Sequence, residues 1–289
     1  MTAHEAENTA PDDRAEQGQA WAEAALGCGG LVREPVAGDA SFRRYFRLRE
    51  ADGRGDRSWV LMDAPPDREN SQPFVEVDRR LREAGLDAPE IVAEDLRAGY
   101  LLLEDFGDTL LRGVLDEGSV NHWFPRLFDL LERMATAVDP QGLPPYDRGR
   151  LLTELELFPR WYLNTHRGIQ LGCTDWDLWE ALCARLIGSA LEQPQVFVHR
   201  DFHSCNLLAL PGDDPEAGPV GIIDFQDAVR GPLTYDFASL LWDRYIPWPR
   251  ARLESWLEDF RIRVAPDTDP GTWVRWCDWM GLQRNLKVV

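Results

Sequence analysis

Hydrophobic and polar positions divide the chain into two parts. Between residues 42 and 106 apolar side chains come in short runs, and they alternate with polar ones most clearly over residues 42–48. These runs predict strands at 42–48, 58–62, 91–95 and 100–104. Beyond residue 107 helical spacing dominates and predicts helices over 123–138, 151–166 and 176–193, with more after Asp236. The pattern indicates a sheet-forming part followed by a helical part.

The ends and the boundary of these parts can be placed approximately. Residues 1–17 are acidic and polar and are expected to form a disordered tail, and a first helix is predicted over 20–26. An N-lobe is expected over 18–106 and a C-lobe over 107–289. The last residues, 285–289, are predicted to lie inside an apolar helix, so a C-lobe truncated at its carboxy terminus is expected.

Charge and composition exclude several classes of partner. A net charge of -19 argues against nucleic acid, because phosphate backbones are bound by basic surfaces. No apolar stretch approaches the roughly 20 residues of a membrane span, and the amino terminus lacks the features of a secretory signal. The five cysteines are scattered and odd in number, as expected of reduced thiols. We therefore expect a cytoplasmic protein without a membrane partner; its oligomeric state is left open.

The most informative motif is the polar segment 199–206 together with Asp224. Phosphoryl transfer needs a carboxylate that accepts the proton of an attacking hydroxyl, and oxygen ligands that hold Mg²⁺ on the phosphates. Asp201 is the candidate base, and Asn206 and Asp224 are the candidate metal ligands. The apolar runs 207–210 and 220–223 predict two strands of a hairpin that returns Asp224 to the side of Asn206.

The same segment allows a second interpretation. His199, Asp201, His203 and Cys205 alternate and would share one face of a strand, as the ligands of a zinc site could. The segment is polar and typical of a loop, and a zinc site would leave Asp224 unexplained. The phosphotransferase interpretation is therefore favoured.

The spacing H-x-D-x-x-x-x-N followed by I-D-F resembles the catalytic core of aminoglycoside and choline phosphotransferases. This resemblance implies an α+β fold of the bilobal protein-kinase-like type, with a small antiparallel-sheet N-lobe and a larger helical C-lobe. It also implies ATP and Mg²⁺ as cosubstrate and cofactor. His199 is expected to brace the catalytic loop, and Asp236, in a Tyr-Asp pair similar to that of the related families, is expected to be structural.

Nucleotide contacts are expected mainly from the N-lobe. A loop with one glycine occupies the place of the glycine-rich phosphate loop, but the following strand carries no lysine, and the chain's one lysine is Lys287. Arg43 or Arg44 is expected to replace that cation. The full set of candidates is Ser41, Phe42, Arg43, Arg44, Glu76, Glu104 and Phe106.

A narrower resemblance, carried by segments 39–47, 62–66, 154–162 and 224–228 together, is to the bacterial anomeric kinases of N-acetylmuramate and N-acetylglucosamine. It implies phosphorylation of the C1 hydroxyl of a small amino-sugar substrate in cell-wall recycling. Candidate substrate contacts are Glu154, Arg160, Trp161 and Arg230. Two alternatives stay open: an aminoglycoside- or choline-type small-molecule kinase, and a nucleotide-binding pseudokinase that acts as an interaction module.

Overall fold

The structure, a computed structural model, describes residues 12–36, 42–51, 57–212 and 218–288. The chain divides into two compact units, one formed by residues 1–75 and 89–106 and the other by residues 76–88 and 107–289. No helix in the described ranges is long and apolar enough to cross a membrane.

The first unit is built on a five-stranded antiparallel sheet. Its elements are helix α1 (Asp13–Leu26) and strands β1 (Leu31–Pro35), β2 (Arg44–Glu50), β3 (Ser58–Asp63), β4 (Ile91–Asp95) and β5 (Tyr100–Glu104). The strands are ordered β1-β2-β3-β5-β4, and every neighbouring pair is antiparallel. Leu48, Leu61 and Leu102, one from each central strand, pack with Ala22 of α1 in the core of this unit. The strands predicted from the sequence are confirmed.

Helix α1 starts earlier than the sequence predicted. It begins at Asp13, so residues 13–17, which were expected to belong to a disordered tail, are helical. The Asp12 carboxylate accepts a hydrogen bond from the Ala15 N–H and caps the helix. Arg14 then pairs with the buried Asp63 at 2.6 Å. This contact joins residues far apart in the chain, so the local sequence does not predict it. The remainder of the predicted tail, residues 1–11, lies outside the described residues.

Helix α2 (Gln72–Glu83) is divided between the two units. It lies inside residues 18–106, which were expected to form the N-lobe, but its residues from Glu76 onward group with the second unit. The cause is a set of contacts at its carboxy-terminal end. Arg80 donates to the backbone oxygens of Asp139 and Gln141, and Asp87, just beyond the helix, accepts from the Ile222 N–H.

The second unit is mainly helical. Its remaining elements are a 3₁₀ turn (Leu111–Gly113), helices α3 (Val120–Ala137), α4 (Arg148–Leu155), a π-helix (Phe158–His166), α5 (Cys173–Leu191), strands β6 (Gln195–Val198), β7 (Leu207–Ala209), β8 (Val220–Ile222) and β9 (Val229–Pro232), and helices α6 (Tyr235–Leu241), α7 (Arg250–Val264) and α8 (Pro270–Val288). Strand β6 pairs with β9 and β7 pairs with β8, both antiparallel. Tyr146, Leu155, Val198, Tyr235 and Met280 are among the residues of its core.

The helix predicted over residues 151–166 is divided in the structure. Helix α4 ends at Leu155, and the chain continues as the π-helix from Phe158. Pro159 lies at the start of the π-helix and has no N–H to donate to the carbonyl four residues earlier, which accounts for the break in the α-helical hydrogen bonding.

Candidate active site

The loop 199–206, between β6 and β7, is held in place by the fully buried His199. Its Nε2 atom lies 3.0 Å from the Ile223 carbonyl oxygen, and its Nδ1 atom lies 3.3 Å from the Asp201 N–H nitrogen. A carbonyl only accepts and an N–H only donates, so His199 is neutral with its proton on Nε2. Burial lowers the pKa of His199 to about 4, in agreement with this assignment.

Asp236, in the first turn of α6, fixes the entrance of the same loop. Its carboxylate accepts hydrogen bonds from the backbone N–H of His199 at 2.6 Å and of Arg200 at 3.0 Å. Arg200 has a left-handed backbone with φ of 81°, a conformation that a non-glycine residue keeps only when its surroundings enforce it. Burial raises the pKa of Asp236 to about 7, while the two N–H donors act in the opposite direction.

Asn206 contacts both the candidate base, Asp201, and the other candidate metal ligand, Asp224. Its Nδ2 atom lies 3.0 Å from the Asp201 carbonyl oxygen and 3.0 Å from Oδ2 of Asp224. The β7–β8 pairing, with Leu207 opposite Ile222, produces this approach, so the predicted hairpin is confirmed.

The chemistry of these side chains fits a divalent cation bound through oxygen. Asp224 has a left-handed backbone with φ of 64°, and its Oδ1 atom accepts from the Gln226 amide at 2.8 Å. Asn206 Nδ2 donates to oxygens of Asp201 and Asp224, so its amide oxygen is the atom that can ligate a cation. An amide oxygen and a carboxylate suit Mg²⁺, which takes few protein ligands and completes its shell with water and phosphate.

The side chain of Asp201 is partly exposed at the rim of a small pocket and faces a cation from the far end of the chain. Its Oδ1 atom lies 3.8 Å from Nη2 of Arg284 in α8, and Arg284 also donates to the Arg200 carbonyl oxygen. Burial opposes ionisation, but the charges of Lys287 and Arg284 hold the pKa of the Asp201 carboxyl below its usual value. The carboxylate is therefore ionised at neutral pH, as a proton acceptor must be.

A network of charged side chains around the buried Glu154 contacts the loop 199–206 through Arg200. Glu154 of α4 accepts from Arg200 at 2.7 Å and lies 3.3 Å from the Lys287 amine. The Tyr146 hydroxyl donates to the same carboxylate. Burial raises the pKa of Glu154, but its cationic and hydroxyl partners outweigh burial and lower it overall. Glu154 was predicted as a substrate contact, and in the structure it is a buried partner of the loop arginine.

Arg284 and Lys287 were not predicted as site residues from the sequence. Both lie on one face of α8, three residues apart, and contact groups more than eighty residues away in sequence, as in the Arg284–Arg200 hydrogen bond. The single lysine of the chain was a signal that could have been followed, because a lone lysine in a chain rich in arginine is conspicuous.

Among the candidate phosphate-binding residues, the two arginines are engaged with carboxylates. Arg44 in β2 pairs with Asp63, with Nε 3.1 Å from Oδ2, and also with Asp12. Nη2 of Arg43 lies 3.3 Å from Oε2 of Glu69. Burial acts to lower the pKa of Arg44, but its two carboxylate partners raise it overall.

The other candidates on the nucleotide side are placed as follows. The exposed Phe42 donates its N–H to Glu69, and Ser41 lies outside the described residues. The Glu104 N–H donates to the Glu90 carbonyl oxygen at 2.8 Å. Phe106 is partly buried at the end of the first unit. Glu76 belongs to the second unit and pairs with Arg80 at 2.6 Å.

One further pair near Phe106 was not predicted. Arg47 of β2 holds the Asp105 carboxylate with two hydrogen bonds, of 2.6 Å and 2.9 Å. Both side chains are almost fully buried, so this bidentate contact joins the sheet to the residues that follow β5.

The remaining substrate candidates do not line the pocket at Asp201. Arg160 and Trp161 lie on the π-helix, with the guanidinium 5.2 Å from the centre of the Trp161 ring. Arg230 of β9 has an exposed side chain, and its backbone pairs with Pro144 and Tyr146. Their role as substrate contacts stays a prediction.

The alternative zinc interpretation finds no support in the geometry. Within the described ranges, no group of three or more histidine, cysteine, aspartate or glutamate side chains is arranged to hold a metal ion. His199 is instead committed through both of its ring nitrogens to the backbone.

Comparison with known proteins identifies the family of the chain. Residues 32–274 match the phosphotransferase enzyme family. The N-acetylmuramate/N-acetylglucosamine kinase of Pseudomonas aeruginosa is 42% identical over 263 residues, which cover 88% of this chain and 74% of that protein. The kinase of the same name from Neisseria meningitidis serogroup B is 36% identical, covering 88% of this chain and 75% of that protein.

Solved structures show the same fold. The choline kinase LicA from Streptococcus pneumoniae aligns with a TM-score of 0.62 at 13% identity, covering 96% of this chain and 91% of that one. The aminoglycoside phosphotransferase APH(3'')-Id from Streptomyces rimosus aligns with a TM-score of 0.54 at 19% identity, covering 93% and 98%. The predicted α+β, protein-kinase-like fold is confirmed. The chain belongs to the phosphotransferase enzyme family, on the branch that includes the N-acetylmuramate/N-acetylglucosamine kinases.

Proposed function

We propose that this protein transfers the γ-phosphoryl group of ATP to the C1 hydroxyl of N-acetylmuramate and N-acetylglucosamine. The observation that carries the proposal is the Asn206 amide, which lies 3.0 Å from both the Asp201 backbone and the Asp224 carboxylate. A base and two oxygen ligands, brought together by the loop 199–206 and the β7–β8 hairpin, are what phosphoryl transfer requires. The names of the relatives that are 42% and 36% identical support the choice of acceptor.

In the proposed reaction Asp201 orients the C1 hydroxyl and accepts its proton. The sugar oxygen forms a bond to the γ-phosphorus as the bond from that phosphorus to the β–γ bridging oxygen breaks, and ADP leaves. Asn206 and Asp224 would hold Mg²⁺, which when bound neutralises charge on the phosphates. His199 and Asp236 support the loop through the hydrogen bonds described above.

The nucleotide contacts proposed from the sequence remain Ser41, Phe42, Arg43, Arg44, Glu76, Glu104 and Phe106. For Arg44 to bind phosphate it would exchange Asp12 or Asp63 for the nucleotide, since its guanidinium pairs with both. Arg43 pairs with Glu69 at 3.3 Å, and the two side chains are 9% and 14% exposed. Arg43 and Arg44 both remain proposed replacements for the lysine absent from β3.

The biological setting is part of the same proposal. A sugar 1-phosphate is the form from which nucleotide sugars are made, so the enzyme would act in cell-wall recycling. The five cysteines are all free, which supports a reducing, cytoplasmic location.

The test is ATP consumption with Mg²⁺ and each of N-acetylmuramate, N-acetylglucosamine, choline and kanamycin, followed by phosphorus NMR of the product. An anomeric sugar phosphate formed from the two amino sugars is expected. Phosphorylation of choline or kanamycin alone would show that this compound, and not an amino sugar of the proposed kind, is the acceptor. ATP binding without transfer to any of the four would favour a pseudokinase.

A further inference from the structure

A short segment after α6 places a cation beside the candidate base. The pocket at Asp201 is also lined by His203, Trp242, Arg244, Arg284 and Asn285. The pocket holds about 30 Å³, which is too small to contain a sugar. A sugar would therefore lie at its open mouth and contact the side chains at the rim. Two arginines at one small pocket are notable in a chain with a net charge of -19.

The two arginines differ in what they already bind. The side chain of Arg284 is 10% exposed and is committed to the Arg200 carbonyl oxygen and the Asp201 carboxylate. Arg244 is exposed, and its Nη2 atom donates to the Tyr245 hydroxyl at 2.8 Å. Among the residues that the structure describes, no carboxylate lies within ion-pair distance of Arg244. Its guanidinium therefore keeps donors available for an incoming anion.

Arg244 is tied to the catalytic loop through its neighbour. The Asp243 carboxylate, which is buried, accepts one hydrogen bond from the Ser204 N–H and another from the Tyr245 N–H, both at 2.9 Å. Ser204 belongs to the loop that carries Asp201 and Asn206. Because one carboxylate joins both segments, the position of Arg244 is fixed relative to that loop.

The Tyr245 ring gives the guanidinium a further support. The Arg244 guanidinium carbon lies 4.8 Å from the ring centre, and that of Arg112 lies 4.6 Å from it. Arg112 is itself bound to the loop through its N–H, which donates to the Ser204 carbonyl oxygen at 3.0 Å. Stacking on an aromatic ring limits the motion of an arginine and leaves its N–H edge accessible.

We propose that Arg244 binds the carboxylate of an acidic sugar acceptor and so determines how well the enzyme uses N-acetylmuramate relative to N-acetylglucosamine. The inference rests on the proposed function. Of these two sugars only N-acetylmuramate carries a carboxylate, in its lactyl group. That carboxylate would approach Asp201, Asp224 and Asp243, whose charges repel it, so a local cation is needed to accept it. A guanidinium binds a carboxylate with two parallel hydrogen bonds.

The experiment compares kcat/KM for the two sugars in wild type, Arg244→Ala and Arg244→Lys. Loss of a charged hydrogen-bonded contact should reduce kcat/KM for N-acetylmuramate by about 10- to 100-fold, mainly through KM. The loss for N-acetylglucosamine should be much smaller, so the ratio between the sugars falls. Arg244→Lys keeps the charge without the bidentate geometry and should give an intermediate ratio.

Arg250→Ala is the matched control. It removes one positive charge from an exposed arginine that pairs with Glu254 and Asp278 and does not line the pocket. The ratio should stay at the wild-type value in this variant. Turnover of N-acetylglucosamine by each variant shows that it is folded.

Two results would overturn the inference in distinguishable ways. Equal losses of kcat/KM for both sugars in Arg244→Ala, with an active wild type, would show that Arg244 does not bind the carboxylate. The proposed function would be unaffected. A wild type that phosphorylates neither sugar would remove the proposed function and the inference together.

Discussion

Arg284, near the end of the chain, lies 3.8 Å from the carboxylate of Asp201 and donates to the carbonyl oxygen of Arg200. Helix α8 thus supplies a charge to the loop on which the proposed chemistry depends. The arrangement explains how a partly buried carboxylate stays ionised, since the neighbouring cations offset the cost of burial.

Replacing the proposed base should abolish most of the activity. Asp201→Asn keeps the size of the side chain and removes its ability to accept the proton, so kcat should fall by about 10²- to 10⁴-fold. A coupled ADP-release assay at saturating ATP and sugar measures the change. Asp177→Asn, an exposed change of the same kind on α5, should retain the wild-type kcat. Wild-type turnover by Asp201→Asn would exclude the assigned role.

Neutralising Glu154 should destabilise the protein. Glu154→Gln leaves the buried guanidinium of Arg200 and the Lys287 amine without their carboxylate, at a cost of about 3 kcal/mol in the free energy of unfolding. Urea unfolding followed by circular dichroism measures the loss. Glu180→Gln, at an exposed position of α5, should unfold at the wild-type midpoint. Coincident curves for wild type and Glu154→Gln would mean that the network adds no stability.

Asp78 in α2 should make stability depend on pH. It is 4% exposed, and burial raises the pKa of its carboxyl to about 7, with Arg82 acting in the opposite direction. Because this value lies above that of the unfolded chain, the native state binds the extra proton between about pH 4 and pH 7. Stability from this group is therefore complete at low pH and is lost as the pH rises to 7.

The measurement compares wild type with Asp78→Asn, which cannot ionise. Between pH 5 and pH 8 the wild type should lose about 2 to 3 kcal/mol of unfolding free energy that the variant keeps. Urea titrations at the two pH values give the difference. The same pH dependence in both proteins would assign the effect to other groups.

Substitution by alanine at two glycines should change the stability of the protein in opposite directions. Gly99, in the turn between β4 and β5, has φ of +80°, and an added Cβ would lie 2.0 Å from the Ala64 carbonyl oxygen. Gly99→Ala should therefore cost several kcal/mol, at least about 2. Gly188 lies inside α5 with no atom within 4 Å of an added Cβ, so Gly188→Ala should stabilise by about 0.5 to 1 kcal/mol. Thermal unfolding of the two variants should show Tm shifts of opposite sign.

Local patterns predicted the parts of the fold that depend on neighbours in sequence. The alternating strands of the first sheet and the β7–β8 hairpin follow from side-chain periodicity and turn residues, and this is why Asp224 could be placed beside Asn206. The role of His199 as a brace was likewise predicted from its position in the motif and stays a prediction; its two ring nitrogens lie within hydrogen-bond distance of backbone groups.

Contacts between distant segments could not be predicted in this way. Nothing near Glu154 in sequence indicates that Arg200 and Lys287 neutralise it, and the sequence predicts a substrate contact there instead. The early start of α1 depends in the same way on Arg14 reaching Asp63. The pairing of Arg44 with Asp12 and Asp63 is also tertiary. A periodicity argument places a residue on a face of its own element and does not identify what packs against that face.

The only lysine of the chain is largely shielded from solvent. The Lys287 side chain is 16% exposed and its amine lies 3.3 Å from Glu154, so a lysine-reactive reagent meets a protected target in the folded protein. Modification of Lys287 would require α8 to separate locally from α4, and its rate would therefore report the frequency of that opening. The single lysine ε-amine is thus a natural chemical probe for the docking of α8.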